Sequence, residues 1–368
     1  MKVLAGFICD GKKGGVDKYL LNFFKSVAGK DVQIDFLTSV ETDSLQKELK
    51  QFGSHLYQVP TLKHPKCQYK AVKNLLLSGQ YDMFYLNIST AINCIAIIAS
   101  WKVGIKKRAI HSHSSGSDCS NVIRRAILKC FHNICKQFLY LFANRYYACS
   151  MTAACWMFPK RLIRAGKVDI VYNAVDVDNF TYKPDLRMQI RNSLKIGKEL
   201  VLGHVGNFCY AKNYPFLLEV FKNVADLNPE AKLLLIGKGA MYSEIEKEVN
   251  NYKLQDRVLF LGWRQDIADL YQAMDIFLLP SNFEGLPIVG VEAQSTGVKC
   301  IFSDKITREV KLTEEAEFLP IKSKEDAKIW AEHILVGRNY NREKNVITQN
   351  KELYDLNQQY KAYLKIIE

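Results

Sequence analysis

Short apolar, β-branched runs alternate with helix-length segments from one end of the chain to the other, and this alternation leaves few folds open. Strands are expected at 2–9, 32–37, 56–59, 82–86, 108–111, 146–148 and 169–171. A second series is expected at 200–205, 232–236, 258–261, 276–279, 299–302 and 317–319. Strand–helix–strand succession of this kind builds a parallel sheet with helices on both faces. It occurs twice, on either side of a polar stretch, 173–198, that contains Pro184 and reads as a linker. The expected architecture is α/β: two Rossmann-like, doubly wound parallel-sheet domains, residues 1–175 and 176–351, with a closing segment 352–368. A length of 368 residues suits two domains of this size. In such sheets ligands bind beyond the carboxyl ends of the strands, so a tandem pair facing across a cleft offers a site between them.

Composition narrows the class further. With 48% hydrophobic and 24% charged residues the chain is neither collagen-like, nor a coiled coil, nor mainly disordered. The longest uncharged apolar run, 91–101, is broken by Asn93 and Ser100 and is too short to span a bilayer. The amino terminus runs straight into a strand with no cleavage site, so a cytoplasmic location is expected. The ten cysteines are irregularly spaced and include no Cys-x-x-Cys; Cys130 and Cys135 come nearest. Reduced, mostly buried thiols are expected rather than a disulfide framework or a metal site.

The net charge of +13 is concentrated. Between Trp101 and Val168 there are 13 basic residues against one acid, Asp118, so this window carries +12. Inside it, 121–144 reads as one amphipathic helix, with Ile123, Ile127, Phe131, Ile134, Phe138 and Leu141 at helical spacing. Arg125, Lys129, His132 and Lys136 line the opposite face, which is either a solvated helix surface or one that meets anionic lipid headgroups. Nucleic acid is disfavoured as a partner, because no aromatic residues interleave the cations to stack bases.

Four segments carry candidate chemistry. The loop Gly11-Lys12-Lys13-Gly14-Gly15-Val16 follows the first strand and precedes a helix expected from about Asp17. It suits a close backbone approach to an anion, but is neither a Walker loop nor a dinucleotide fingerprint. Gly237-Lys238-Gly239, a partial match to that fingerprint, reads as a strand-to-helix turn expected near a nucleotide. Lys212, before the helix start Asn213-Tyr214-Pro215, could neutralise a diphosphate, and Arg264 after Gly262-Trp263 could be a surface cation. Most informative is 275–294, in which a strand ends at Pro280 and a loop carries Glu284. Pro287 suits the first helical position, and Glu292 lies on the face of Ile288. Amides around Gly285 and Leu286 then point from a helix start. Two carboxylates there would repel a phosphate unless they accept hydroxyls, as sugars and ribose provide.

The ordered series Gly14-Gly15-Val16, His111-Ser112-His113, 171–176 (Val-Tyr-Asn-Ala-Val-Asp), Lys212-Asn213, Gly237-Lys238-Gly239, 262–267 and the Glu284/Glu292 pair resembles the retaining glycosyltransferases of family 4, which have the GT-B fold. The Glu–seven residues–Glu spacing inside Pro-Ser-x-x-Glu-Gly-Leu-Pro is its most specific element, and residues 354–360 resemble the family's last helix, which crosses back onto the N-terminal domain. The resemblance implies a hexosyl transfer from a nucleotide-sugar, expected to be UDP-linked, to a glycan acceptor. It implies Glu292 on the ribose; Glu284 with the amides of Gly285 and Leu286 on the donor sugar; and Lys212 on the leaving diphosphate. Gly15 would approach that diphosphate, His113 would sit near the sugar, and Trp263 and Arg264 would lie by the base. Many members carry arginine where this chain has Asn207, so Lys212 should matter more, with Arg264 or Gly15 compensating. No metal cofactor is expected, and retention would proceed by front-face attack. Together with the basic helix, a polyprenyl-diphosphate-linked acceptor is expected, at the inner face of a bacterial membrane, in capsule or exopolysaccharide synthesis. Arg125, Lys129 and Lys136 would face that membrane. A GT-B epimerase acting on the nucleotide-sugar alone, or a non-catalytic sugar- or nucleic-acid-binding protein, are the competing readings.

Overall fold

The computed structural model describes residues 1–9, 14–27, 31–40, 43–347 and 351–368. Residues 11–13 of the first glycine-rich loop therefore lie outside the described residues. The chain divides into two compact units. The first comprises Met1–Ser117, Asn121–Ala174 and Leu356–Glu368, and the second comprises Asp118–Ser120 and Val175–Asp355.

The first unit is built on β1 (Lys2–Gly6), β2 (Gln33–Thr38), β3 (Leu56–Gln58), β4 (Met83–Ile88), β5 (Lys107–Ser112), β6 (Arg145–Ala148) and β7 (Val168–Ile170). They form one parallel sheet in the order β3-β2-β1-β4-β5-β6-β7. Continuous burial of β1 and β4 explains why these strands read as unbroken apolar runs: helices cover both faces. The closing helix Leu356–Ile367 belongs to this unit. Its Tyr363 packs edge-on to Tyr19 and Phe23 of the Gly15–Val27 helix, at 5.6 and 5.8 Å between ring centres.

The second unit is built on β8 (Val201–Val205), β9 (Lys232–Ile236), β10 (Val258–Gly262), β11 (Ile276–Leu279), β12 (Lys299–Ser303) and β13 (Glu317–Leu319). Its parallel sheet runs β10-β9-β8-β11-β12-β13. Leu202, Leu233, Leu235, Ile276 and Leu278 meet Leu217, Phe221 and Trp330 in its core. All thirteen strands appear where the alternation places them, within a few residues at their ends. In each sheet the strand order reverses beside the unit's first strand, between β1 and β4 and between β8 and β11. Those reversals open a crevice at the carboxyl edge.

Two expectations are corrected. The basic helix runs Val122–Leu139 and passes into a 3₁₀ turn at Tyr140–Phe142, but its faces are inverted relative to the cationic reading. His132 is fully buried, stacked on Trp156 at 3.8 Å, and Lys136 donates inward to the Cys155 carbonyl at 2.7 Å. Arg125 is half-buried on the same side, and of the three cations assigned to a membrane only Lys129 is exposed. The apolar stripe faces outward instead, with Ile123 73% exposed. Ring stacking and hydrogen bonds hold the polar side inward, where periodicity alone would place apolar residues. The cysteines also differ from expectation: all ten are free, but only Cys149 and Cys300 are buried, while Cys9, Cys67, Cys130 and Cys155 are exposed. Cys130 lies on the same outward helix face.

Candidate functional site

In the second unit the sheet's reversal brings together the loops that follow β8 and β11. The loop after β8 turns through a 3₁₀ segment, Tyr210–Lys212, to Asn213 at φ 55°, from which the helix Tyr214–Leu227 begins with Pro215 in its first turn. The loop after β11 is fastened to that turn by Asn282, whose amide nitrogen donates to the Ala211 carbonyl and whose side chain donates to the Tyr210 carbonyl, both at 2.8 Å. This clamp brings Lys212 Nζ to 2.7 Å from Glu284 Oε1, an oxygen that also accepts the Ser281 hydroxyl at 2.9 Å. Both charged side chains are about one-sixth exposed, so the pair sits in a partly dehydrated recess where its charges act more strongly than at an open surface.

Glycines make the recess possible. A Cβ on Gly206 would lie 2.7 Å from Lys212 Cε, so the lysine stem crosses directly over that backbone. Gly237, at φ 144°, abuts the Gly206 carbonyl, and a Cβ on Gly239 would collide with the Phe208 carbonyl oxygen. Main-chain bonds from Gly206 to Ile236, Phe208 to Lys238 and Gly237 to Gly262 tie the loops after β8, β9 and β10 together. Beneath them His204 is fully buried. Its Nδ1–H donates to the Leu278 carbonyl at 2.8 Å, which leaves Nε2 as a buried acceptor with no partner among the described residues. Burial, and then the neighbouring Lys212 charge, hold its pKa down at about 3, so the ring is neutral.

Glu292 lies on the helix Ile288–Ser295, directly after the Glu284 loop, and is nearly fully buried. Tyr271 fixes it: the phenol donates to the Val289 carbonyl at 3.0 Å and to Glu292 Oε2 at 3.3 Å. Gly285 and Leu286 are buried at the approach to that helix. Pro287 is the residue before the first helical turn rather than within it, at φ −73° and ψ 105°. Its carbonyl accepts from Gly290 and Val291, which starts the helix one residue later than the proline rule places it.

Arg264 and Trp263 lie after β10, two strands from β8. The exposed Arg264 guanidinium is held by Asp266, at 2.7 and 2.5 Å, rather than lying beside Lys212. A bidentate carboxylate two residues away orients the fork. Trp263 is half-buried, and Asn207 is exposed where the loop leaves β8.

In the first unit Gly15 opens its helix, two residues earlier than expected, and the buried Asp17 accepts the Cys9 amide at 2.9 Å. His111 and His113 stack at 4.2 Å. Asn87 Oδ1 lies 2.8 Å from His113 Nε2; since the Asn87 amide group donates to the Tyr85 carbonyl, that nitrogen carries the proton and Nδ1 is an acceptor. His111 Nδ1 meets the Tyr85 hydroxyl at 2.6 Å, which meets that of Tyr19 at 2.7 Å. His111 is thus not fully satisfied as a structural histidine, because among the described residues its Nε2 has no hydrogen-bond partner, nor has His113 Nδ1. Burial holds His113 at about 3 and His111 well below the usual histidine range, so both are neutral hydrogen-bonding groups.

Sequence reasoning gave no role to Ser281, Asn282, Tyr271 or Tyr85. Ser281 was findable as a hydroxyl three residues before a loop glutamate. The others act across the fold and carry no local signal. Among the described residues no group of three or more His, Cys, Asp or Glu side chains is assembled as a metal site.

In sequence the chain is similar to known glycosyltransferases. Residues 187–353 match the family described as Glycosyl transferases group 1. The EpsF protein of Bacillus subtilis (strain 168), named as a glycosyltransferase, is 28% identical over 84% of this chain and 80% of its own length. An Escherichia coli protein named UDP-Gal:alpha-D-GlcNAc-diphosphoundecaprenol alpha-1,3-galactosyltransferase is 34% identical over 38% of this chain and 37% of its own. Anabaena Alr3699/HepE, crystallised with UDP-glucose, superposes with a TM-score of 0.79 over 100% of this chain and 99% of its own at 19% identity, which establishes a shared fold. The chain is a glycosyltransferase with the two-domain GT-B fold.

Proposed function

We propose that this glycosyltransferase moves a hexosyl unit from a UDP-sugar to a glycan acceptor carried on a polyprenyl diphosphate at the inner face of a bacterial membrane, with retention of configuration, during synthesis of a surface polysaccharide. The observation that carries the reading is the Lys212–Glu284 pair at the reversal of the second sheet, beside the helix that bears Glu292. A buried carboxylate held by a phenol is suited to accept two ribose hydroxyls. Glu284, with the amides of Gly285 and Leu286, is suited to the donor sugar's hydroxyls. Lys212 is suited to the negative charge that builds on the diphosphate as the glycosidic bond lengthens, and a preplaced ammonium contributes most at that point.

On this reading the diphosphate charge is met by Lys212 and main-chain amides, and no metal is needed. For the first unit the reading keeps Gly15 and His113 as donor-side groups, the neutral imidazole serving as a hydrogen-bonding partner rather than an acid. The reading assigns no carboxylate as a covalent nucleophile, which favours attack from the face the diphosphate leaves. The names of the Escherichia coli relative and of HepE's bound ligand support a UDP-sugar, and the former supports a diphospholipid acceptor.

The test incubates UDP-, GDP- and ADP-hexoses with polyprenyl-diphosphate-linked sugars and follows nucleotide release and the anomeric proton of the product. Transfer from a UDP-sugar giving the donor's own anomer, undiminished by a chelator, is expected. A new nucleotide-sugar formed without acceptor would overturn transfer in favour of epimerisation. Loss of activity with chelator would overturn the metal-free reading.

A further inference from the structure

The helix Val122–Leu139 turns its apolar side to solvent. Ile123, Ile127, Phe131, Ile134 and Phe138 recur at 0, 4, 8, 11 and 15 and are each half or more exposed, from 50% to 73%. Leu141, also exposed, continues the stripe. A soluble monomer rarely presents so continuous an apolar surface. The stripe has a consistent surround: exposed Arg124 and Lys129 on the helix itself, and exposed Lys160 and Arg161 beside its end, where the Arg161 guanidinium lies 4.5 Å from the Tyr140 ring centre. Trp101, 46% exposed, packs edge-on to Phe142 at 5.4 Å, next to exposed Lys102. The helix carries no acidic residue.

We propose that this face docks the protein onto an anionic bilayer, with the helix in the plane of the interface, its apolar stripe at the acyl boundary and its cations among the headgroup phosphates. Charge selects this occupant. A symmetric contact with a second copy would set Arg124, Lys129, Lys160 and Arg161 against their own counterparts with no acid on the helix to meet them, whereas an anionic lipid surface complements both parts of the pattern. Trp101 has the amphipathic character of an interfacial anchor. Among the described residues no helix is long and apolar enough to cross a membrane, which fits docking in the plane. The inference deepens the proposed function and rests on it only for where the acceptor lies.

Flotation of the full chain with phosphatidylcholine vesicles, with and without phosphatidylglycerol, tests it independently of turnover. Wild type should bind anionic vesicles at least about tenfold more tightly than neutral ones. The paired substitution Ile127→Ser and Phe131→Ser should weaken anionic binding by about tenfold or more while leaving the melting temperature unchanged, since both side chains are exposed. Arg124→Glu with Lys129→Glu should abolish the preference for anionic lipid. The serine variant should keep activity on a water-soluble acceptor analogue and lose it on a vesicle-embedded one. Equal, weak binding to both vesicles would overturn the proposal. So would a wild-type dimer in sedimentation that the serine variant dissolves without changing vesicle binding. Vesicle binding as expected, with no transfer to any acceptor, would instead count against the enzymatic reading alone.

Discussion

Lys212 Nζ and Glu284 Oε1 are 2.7 Å apart, joined across the point where the second sheet reverses direction, with the Ser281 hydroxyl on the same oxygen at 2.9 Å. Neither side chain is near the other in sequence. The contact exists because Asn282 pins one loop to the turn that carries Lys212.

Lys212→Ala should lower kcat by about 10²- to 10³-fold, the loss expected when a group aimed at developing charge is removed. Glu284→Gln should lower it comparably, and the double variant should fall well short of the summed effects, because each single change strands the other group. Nucleotide release at saturating donor is the measurement. Activity within about threefold of wild type in Lys212→Ala would remove the pair from the mechanism.

Three glycines separate stability from activity. Gly206→Ala should leave the melting temperature nearly unchanged but depress kcat, because its new methyl displaces the flexible Lys212 stem. Gly239→Ala should destabilise by about 1–3 kcal/mol, since its methyl meets the Phe208 main chain, which cannot swing aside. Gly14→Ala, whose new methyl meets no atom of the described residues within 4 Å, should be neutral in stability. Thermal unfolding together with turnover distinguishes the three.

Glu292→Gln should weaken UDP binding by about ten- to a hundredfold, as loss of a charged acceptor for hydroxyls predicts. Tyr271→Phe removes one bond to Glu292 Oε2 and one to the Val289 carbonyl. It should cost about 1 kcal/mol of stability and only a few-fold in UDP affinity, because the carboxylate remains. Calorimetric titration with UDP reads both. Unchanged affinity in Glu292→Gln would place the ribose elsewhere.

Stability should fall as pH drops below neutrality. Buried His113 and His204 titrate at about 3 when folded against 6.5 in the unfolded chain, so the unfolded state binds more protons between those values. The stability each contributes is present above pH 6.5 and is lost as pH falls toward 3, about 2 kcal/mol apiece by pH 5. Denaturant melts at pH 7.5 and 5 should show the decline, and His204→Gln should flatten it by one residue's share. A His204→Gln variant as acid-sensitive as wild type would contradict a neutral buried ring.

The thirteen strands were legible because most carry a short run of apolar residues flanked by turn residues, a local signal, although β3 and β7 are only partly buried. The Glu284–Glu292 spacing was legible for a similar reason: a loop and the helix after it are contiguous in sequence. Other relationships were not. Tyr271 reaches Glu292 from a preceding helix, and Arg264 spends its fork on Asp266 rather than beside Lys212. The 121–144 segment shows the limit most sharply. Its helical period was evident, but its orientation was inverted, because His132 finds Trp156, Thr90 and Ala91 in the folded unit.

What the amino-acid order determined by itself was every property that depends on neighbours along the chain: strand runs, helix periods, the glycine turns, and the carboxylates flanking one helix start. What the tertiary structure alone decided was which side of the Val122–Leu139 helix meets the protein, and which charged groups pair. Periodicity repeats equally around a helix whichever way it is rolled, and an ion pair forms only where two distant loops arrive together. Both are settled by packing between segments that the linear order keeps apart.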